Sequence, residues 1–181
     1  MTQSPAALRH APPLRWLHWI MAALVAAMFA LGIWIAWFAP HGDALRHRLY
    51  NLHESTGITL LALLAVRVAV RLGHGVPPPP AGMPRWAARM AAANHLLLYA
   101  LLLAQPVLGF LDANAAGAPL VWYEAVAVPS PIGRQPHAVA AGLAAAHFWG
   151  AVMLALAIGL HLLGTGYHLL VRRDGLLRRM A

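Results

Sequence analysis

The stretch His147 to Arg173, HFWGAVMLALAIGLHLLGTGYHLLVRR, constrains this chain more than any other. It is an apolar run long enough to cross a bilayer as a helix, and before Arg172 its ionisable residues are His147, His161 and His168. A histidine inside a membrane segment is costly, so it faces the bundle interior and marks a site. At about 100° and 1.5 Å per residue, the step from His147 to His161 returns the side chain to within about 40° of its starting direction after a rise of about 21 Å. Two imidazoles therefore share one face, near opposite sides of the membrane. His168 falls on the same stripe within about 20°.

Three more apolar runs precede this one, and a chain of 181 residues that is 61% apolar and 10% charged lies outside the soluble class. The expected fold is all-α: an integral membrane four-helix bundle, one domain over residues 1–181, with spans at about 15–38, 49–70, 91–111 and 145–171. The first run is too long for a signal-peptide core and reads as a retained helix, with Trp16, Trp19, Trp34 and Trp37 as interfacial belts. GVPPPPAGMP is a stiff connector, and RWAARMAAANH after it reads as a short interfacial helix. Pro106 is expected to kink the third span, and Gly109 to admit a bulky neighbour. Residues 112–142 form the longest loop and are expected to cap the bundle partly from outside.

Arginine supplies the whole net charge of +8. Arg9, Arg15, Arg67, Arg71, Arg85, Arg89, Arg172, Arg173, Arg178 and Arg179 fall on one side of the spans and Arg46, Arg48 and Arg134 on the other, so both termini are expected in the cytoplasm. Without a basic soluble face there is no case for a nucleic-acid partner. Without cysteine there is neither a disulfide nor a thiolate-held cluster. The chemistry belongs to histidine.

Placed by depth, His18 and His161 fall near the cytoplasmic side, and His53 and His147 near the outer side. A flat metallocycle held between helices takes one axial ligand from each side at equal depth, and neutral imidazole suits iron. A zinc site wants its ligands clustered at one level, which pairs about 20 Å apart do not offer. His95 is a third candidate at the cytoplasmic level, able to replace His18 or His161. His168 lies deeper toward the cytoplasm and suits hydrogen bonding or proton transfer. His10, His41, His47, His74 and His137 fall in loops or tails and read as solvated.

The segments RWLHW around His18, HESTGITLLALLAVRVAVR from His53, HLLLYALLLAQPVLG from His95, and the His147 to His161 spacing running on into GYHLLVRRDGLLRRM together resemble the bacterial cytochrome b561 family. These are four-helix di-haem b proteins of the inner membrane, related to the cytochrome b subunits of nickel-iron hydrogenases. The resemblance implies two haem b groups, one on His18 and His161 toward the cytoplasm and one on His53 and His147 toward the periplasm. It also implies electron exchange with ubiquinone, in some members as superoxide oxidases that pass the electron of superoxide to the quinone. Quinone would then bind near the cytoplasmic haem, with His95, His168 and Arg85 as candidate contacts. Many members carry two adjacent histidines after the fourth-span ligand, where this chain reads Tyr167-His168 or His168-Leu169. Arg67, Arg71, Arg85 and Arg89 are candidates to pair with haem propionates or lipid phosphates. Two other readings stand beside this one: an anchor subunit relaying electrons between quinone and a partner dehydrogenase, reductase or periplasmic cytochrome, and a haem-binding membrane protein without redox function.

Overall fold

The computed structural model describes residues 9–40, 42, 44–79 and 82–180, so His41 and Asp43 lie outside the described residues. Proline and glycine set most of the helix boundaries. Helix α1, Pro12–Trp37, opens with prolines in its first turn, where the missing N–H costs nothing, and stops short of Pro40. Helix α2, Ala44–His74, ends where the proline-rich connector begins. Helix α3, Arg85–Ala116, starts after Pro84 and ends at Gly117, whose φ of 86° takes the left-handed conformation that closes helices. Helix α4, His137–Tyr167, follows Pro136.

All four helices are long and apolar enough to cross a membrane. The second, third and fourth helices start ahead of the expected spans, and two regions differ most. No break separates an interfacial helix from the third span, because the alanine-rich run from Arg85 contains nothing that interrupts backbone hydrogen bonding, and Pro106 too lies inside the continuous α3. The outer loop is shorter than 112–142, since α3 and α4 extend into it from both ends. A hairpin of β1, Val121–Trp122, and β2, Val126–Ala127, antiparallel with Val121 opposite Ala127, occupies that loop. It lies on α2: the Asn51 amide donates to the Val121 carbonyl at 2.6 Å, the Tyr123 N–H to Ser55 Oγ at 2.8 Å, and the Trp122 indole to Thr59 Oγ1 at 3.3 Å.

The helices pack in sequence order, α1 on α2, α2 on α3 and α3 on α4. Met21, Leu60 and Leu64 form the buried centre of the first three, surrounded by Leu24, Val25, Met28, Leu63, Tyr99 and Leu102. Lipid offers no hydrophobic drive for helix association, so small residues and buried amides do that work between α3 and α4. The Asn94 amide donates to the Ala157 carbonyl at 3.2 Å. The Gln105 amide fills the place a Cβ would take at Gly150. Gly150→Ala must turn the flexible end of the Gln105 side chain aside and is expected to cost about 1 kcal/mol, the low end of overpacking, read as a slightly lowered Tm in detergent.

The first and last described residues meet on one side of the bundle. The His10 N–H donates to the Arg179 carbonyl at 3.1 Å, the Trp19 indole to the Met180 carbonyl at 2.9 Å, and the Arg179 guanidinium to the Pro78 carbonyl at 2.6 Å. The four tryptophans of α1 are exposed on the bundle surface, Trp16 at 71% and Trp37 at 67%, as lipid-interface residues should be.

Candidate haem sites

Across the bundle, where α4 faces α1 and α2, the backbones rarely come within 8 Å of each other. Histidines bridge that gap at two levels. His53 of α2 faces His147 of α4 with ring centroids 6.2 Å apart, and His18 of α1 faces His161 of α4 at 6.3 Å. Two imidazoles on opposite sides of one first-row metal, each with a metal–nitrogen distance of about 2 Å and its centroid about 1.1 Å behind that nitrogen, have centroids about 6.3 Å apart. Both pairs match this span. Among the described residues, no group of three or more His, Cys, Asp or Glu is arranged to hold a metal ion. A porphyrin needs only two protein ligands, since it brings the remaining four itself.

The outer pair is cradled by glycine. The His147 ring lies against Gly109 of α3, its Cε1 3.0 Å from where a Cβ would stand, so Gly109 admits the bulky neighbour expected of it. The His53 ring lies against Gly32 of α1, its Cε1 3.4 Å from the corresponding point. The Nδ1 atoms of both His53 and His147 are buried without a hydrogen-bond partner, an expensive state for a polar nitrogen inside a membrane protein.

His95 stands apart from the two pairs. Its centroid is 5.2 Å from that of His161, about 1 Å less than two imidazoles across one metal require, and its Nδ1 is 2.7 Å from the Ala91 carbonyl. It touches the His18 and His161 pair from α3 without duplicating it. Arg67 is held inside the bundle, donating to the Tyr99 hydroxyl at 3.2 Å and the Leu14 carbonyl at 2.8 Å, while Arg71 lies over the Tyr99 ring at 5.5 Å. Arg85 is exposed. His168 is 8% exposed, and its Nδ1 is 2.6 Å from Asp174 Oδ2.

One residue read as solvated is not. His10 is half-buried, because its backbone bond to Arg179 draws it under the end of the bundle. That burial, followed by the charges of Arg71, Arg67 and Arg179, holds its pKa below the ordinary histidine value and leaves the ring neutral. His10 and the exposed His74 border a polar cavity of about 310 Å³ with Arg9, Pro77 and Pro78. His47 and His137 are exposed as expected, though they sit within α2 and at the start of α4 rather than in loops.

The pattern of imidazole pairs on a four-helix frame has a match among known families: the model of prokaryotic cytochrome b561 covers residues 9–181. The chain belongs to that family. Membership makes this cytochrome b561 a multi-pass membrane protein of electron transfer that binds haem b. It is 36% identical over 169 residues to cytochrome b561 homolog 2 of Escherichia coli K12, covering 90% of this chain and 86% of that protein. To cytochrome b561 homolog 1 of the same strain it is 33% identical over 98 residues, about half of each chain. To the probable superoxide oxidase CybB of Yersinia pestis it is 27% identical over 170 residues, 91% of this chain and 90% of that one.

Sequence reasoning missed the hairpin anchor and the carboxylate on His168. Asn51, Ser55 and Thr59 recur every fourth residue, which on a helix makes a polar stripe, and that spacing was the available signal. Asp174 carried no signal, because the turn that brings it back to His168 is irregular backbone.

Proposed function

We propose that this cytochrome b561 is an inner-membrane di-haem b protein that passes single electrons from the periplasmic face to the ubiquinone pool, as a superoxide oxidase. The observation that carries this reading is the presence of two level-matched imidazole pairs along one face of α4 at the span two axial ligands need. His18 and His161 are assigned to the cytoplasmic-side haem, and His53 and His147 to the periplasmic-side haem. Bound haem supplies one-electron redox chemistry. A haem held by two imidazoles would serve electron transfer rather than oxygen binding.

The chain's own residues set the route. The ring pairs hold the two levels about 21 Å apart along α4, with apolar side chains between them excluding water. On the outer side Arg48 and Arg134 are exposed and draw a small anion inward. Arg46 is engaged, donating to the Ile35 carbonyl at 3.0 Å and the Ala39 carbonyl at 2.5 Å, and ties the start of α2 to the end of α1. On the cytoplasmic side the quinone is assigned to the region of His95, His168 and Arg85. The antiparallel pairing of α3 and α4 supports it: contacts between His95 and His161, and between Gly82 and Arg172, bring residues near 85 level with His168. The surplus of arginine on that side supports reading it as the cytoplasmic one.

A superoxide pulse in stopped flow is expected to reduce the haem of the isolated protein rapidly, with steady turnover once ubiquinone is added. The overlap with the Yersinia pestis relative along nearly the whole of both chains favours this outcome. No reduction without a partner protein would instead indicate an anchor subunit, and haem that neither superoxide nor quinol reduces would indicate a protein without redox function.

A further inference from the structure

After α4 the backbone does not simply stop. A π-helical turn, His168–Arg172, widens the last turn; Arg173 then takes a left-handed φ of 51° and Gly175 one of 73°. The left-handed region is costly for an arginine, and strained backbone of this kind persists where the surrounding structure overrides it. Here the reversal brings Asp174 back onto the residue six positions earlier. Asp174 Oδ2 accepts from His168 Nδ1 at 2.6 Å, its Oδ1 accepts the Leu176 N–H at 3.2 Å, and Arg172 Nε stands 3.4 Å from the same carboxylate. Arg172 also donates to the Gly82 carbonyl at 3.1 Å, which pins this turn to the entry of α3. Burial acts to raise the Asp174 pKa, but the His168 hydrogen bond, the Leu176 N–H and the nearby positive charges outweigh it and hold the group below the ordinary carboxylate range. It is a carboxylate at cytoplasmic pH.

A carboxylate on one ring nitrogen fixes the other. With Nδ1–H committed to Asp174, Nε2 is the atom left to exchange a proton. We propose that Asp174 is a positioning residue for quinone reduction, holding His168 so that its Nε2 delivers a proton to the quinone oxygen. The inference rests on the placement of quinone on this side of the bundle and goes beyond it by naming the proton donor and the group that orients it.

In the step, the Nε2–H bond of the His168 imidazolium breaks and an O–H bond forms on the quinone oxygen. The electron arrives separately from the cytoplasmic-side haem. The ring is left neutral, with Nδ1–H still on Asp174, and regains its proton from the cytoplasm. Two such rounds, each with one electron and one proton, convert quinone to quinol. Asp174 stabilises the imidazolium before each transfer and keeps the tautomer after it, without taking the proton itself.

The test is single-turnover reoxidation of the dithionite-reduced holoprotein by a short-chain ubiquinone. Asp174→Asn keeps an acceptor for Nδ1–H but removes the charge. It is expected to lower the maximal rate by about 10- to 100-fold, the scale on which a functional histidine suffers when its orienting partner is lost, while the KM for quinone and the haem spectrum stay as in the wild type. His168→Gln should lose a similar factor, and adding Asp174→Asn to it should take away nothing more, since the carboxylate acts only through the ring. Nitrogen NMR of histidine-labelled wild-type protein gives a readout free of variants and activity: neutral His168 should carry its proton on Nδ1. An Asp174→Asn protein that reoxidises at the wild-type rate, or a neutral His168 protonated on Nε2, overturns the proposal. Wild-type haem that ubiquinone does not reoxidise overturns the quinone placement itself, which is a separate failure.

Discussion

His161→Ala is expected to halve the haem content, from the proposed two haem b per chain to one. A pyridine haemochrome assay against protein concentration counts the loss, and the reduced-minus-oxidised spectrum shows which component remains. His161 is the only α4 residue whose ring stands at axial spacing from His18, with centroids 6.3 Å apart, so its removal leaves the cytoplasmic-side site with a single imidazole. The His53 and His147 pair lies about 21 Å away along α4 and should keep its haem. His95→Ala supplies the control. Its 5.2 Å approach to His161 is an edge contact rather than a span across a metal, so both haems should remain after the substitution. If His95→Ala lost a haem and His18→Ala kept both, the cytoplasmic-side ligands would be His95 and His161.

What the sequence made legible was the part governed by period and length. Apolar runs of bilayer length define the helices, and the helical repeat puts His147 and His161 on one face before any neighbour is known. Depth alone brings His53 level with His147 and His18 level with His161, because neighbouring spans run antiparallel and an imidazole near a span end must sit near one surface. The helix ends were less legible. Nothing in the Arg85 to Ala91 segment separates an interfacial helix from a membrane one, and the continuous α3 comes from alanine, which favours a helix in either setting. Contacts set by irregular backbone could not be read at all. Asp174 reaches His168 only because Arg173 adopts a conformation its side chain disfavours, and His10 becomes buried only because the opposite end of the chain bonds to its backbone. His95 was ambiguous for a different reason. Depth cannot distinguish three histidines at one level, whereas ring separation differs among them, 6.3 Å from His18 to His161 and 5.2 Å from His95 to His161.

The outer site depends on a residue with no side chain. Gly109→Leu is expected to remove the periplasmic-side haem as completely as His147→Ala, although Gly109 supplies no ligand. A Cβ at that position would stand 3.0 Å from His147 Cε1 and 3.3 Å from Nδ1, so even alanine forces the ring to give way by a few tenths of an ångström. A leucine adds three further carbons in the direction of the imidazole. The ring must leave its position, because α3 and α4 are locked at this level by the Gln105 amide seated against Gly150 and cannot spread without losing that packing. Once displaced, His147 no longer faces His53 at the spacing the proposed haem needs, and a single imidazole is not expected to hold that haem. Gly109→Ala should be graded: haem retained, with a shifted potential for the outer site and a stability loss of about 1–3 kcal/mol from overpacking. Spectra of the two variants beside His147→Ala separate displacement of the ring from general unfolding, since the cytoplasmic-side haem should persist in all three. Loss of both haems in Gly109→Leu would show that the bundle had opened, whereas two haems with unchanged spectra would show that His147 is not held against α3 and that its pairing with His53 is not an axial one.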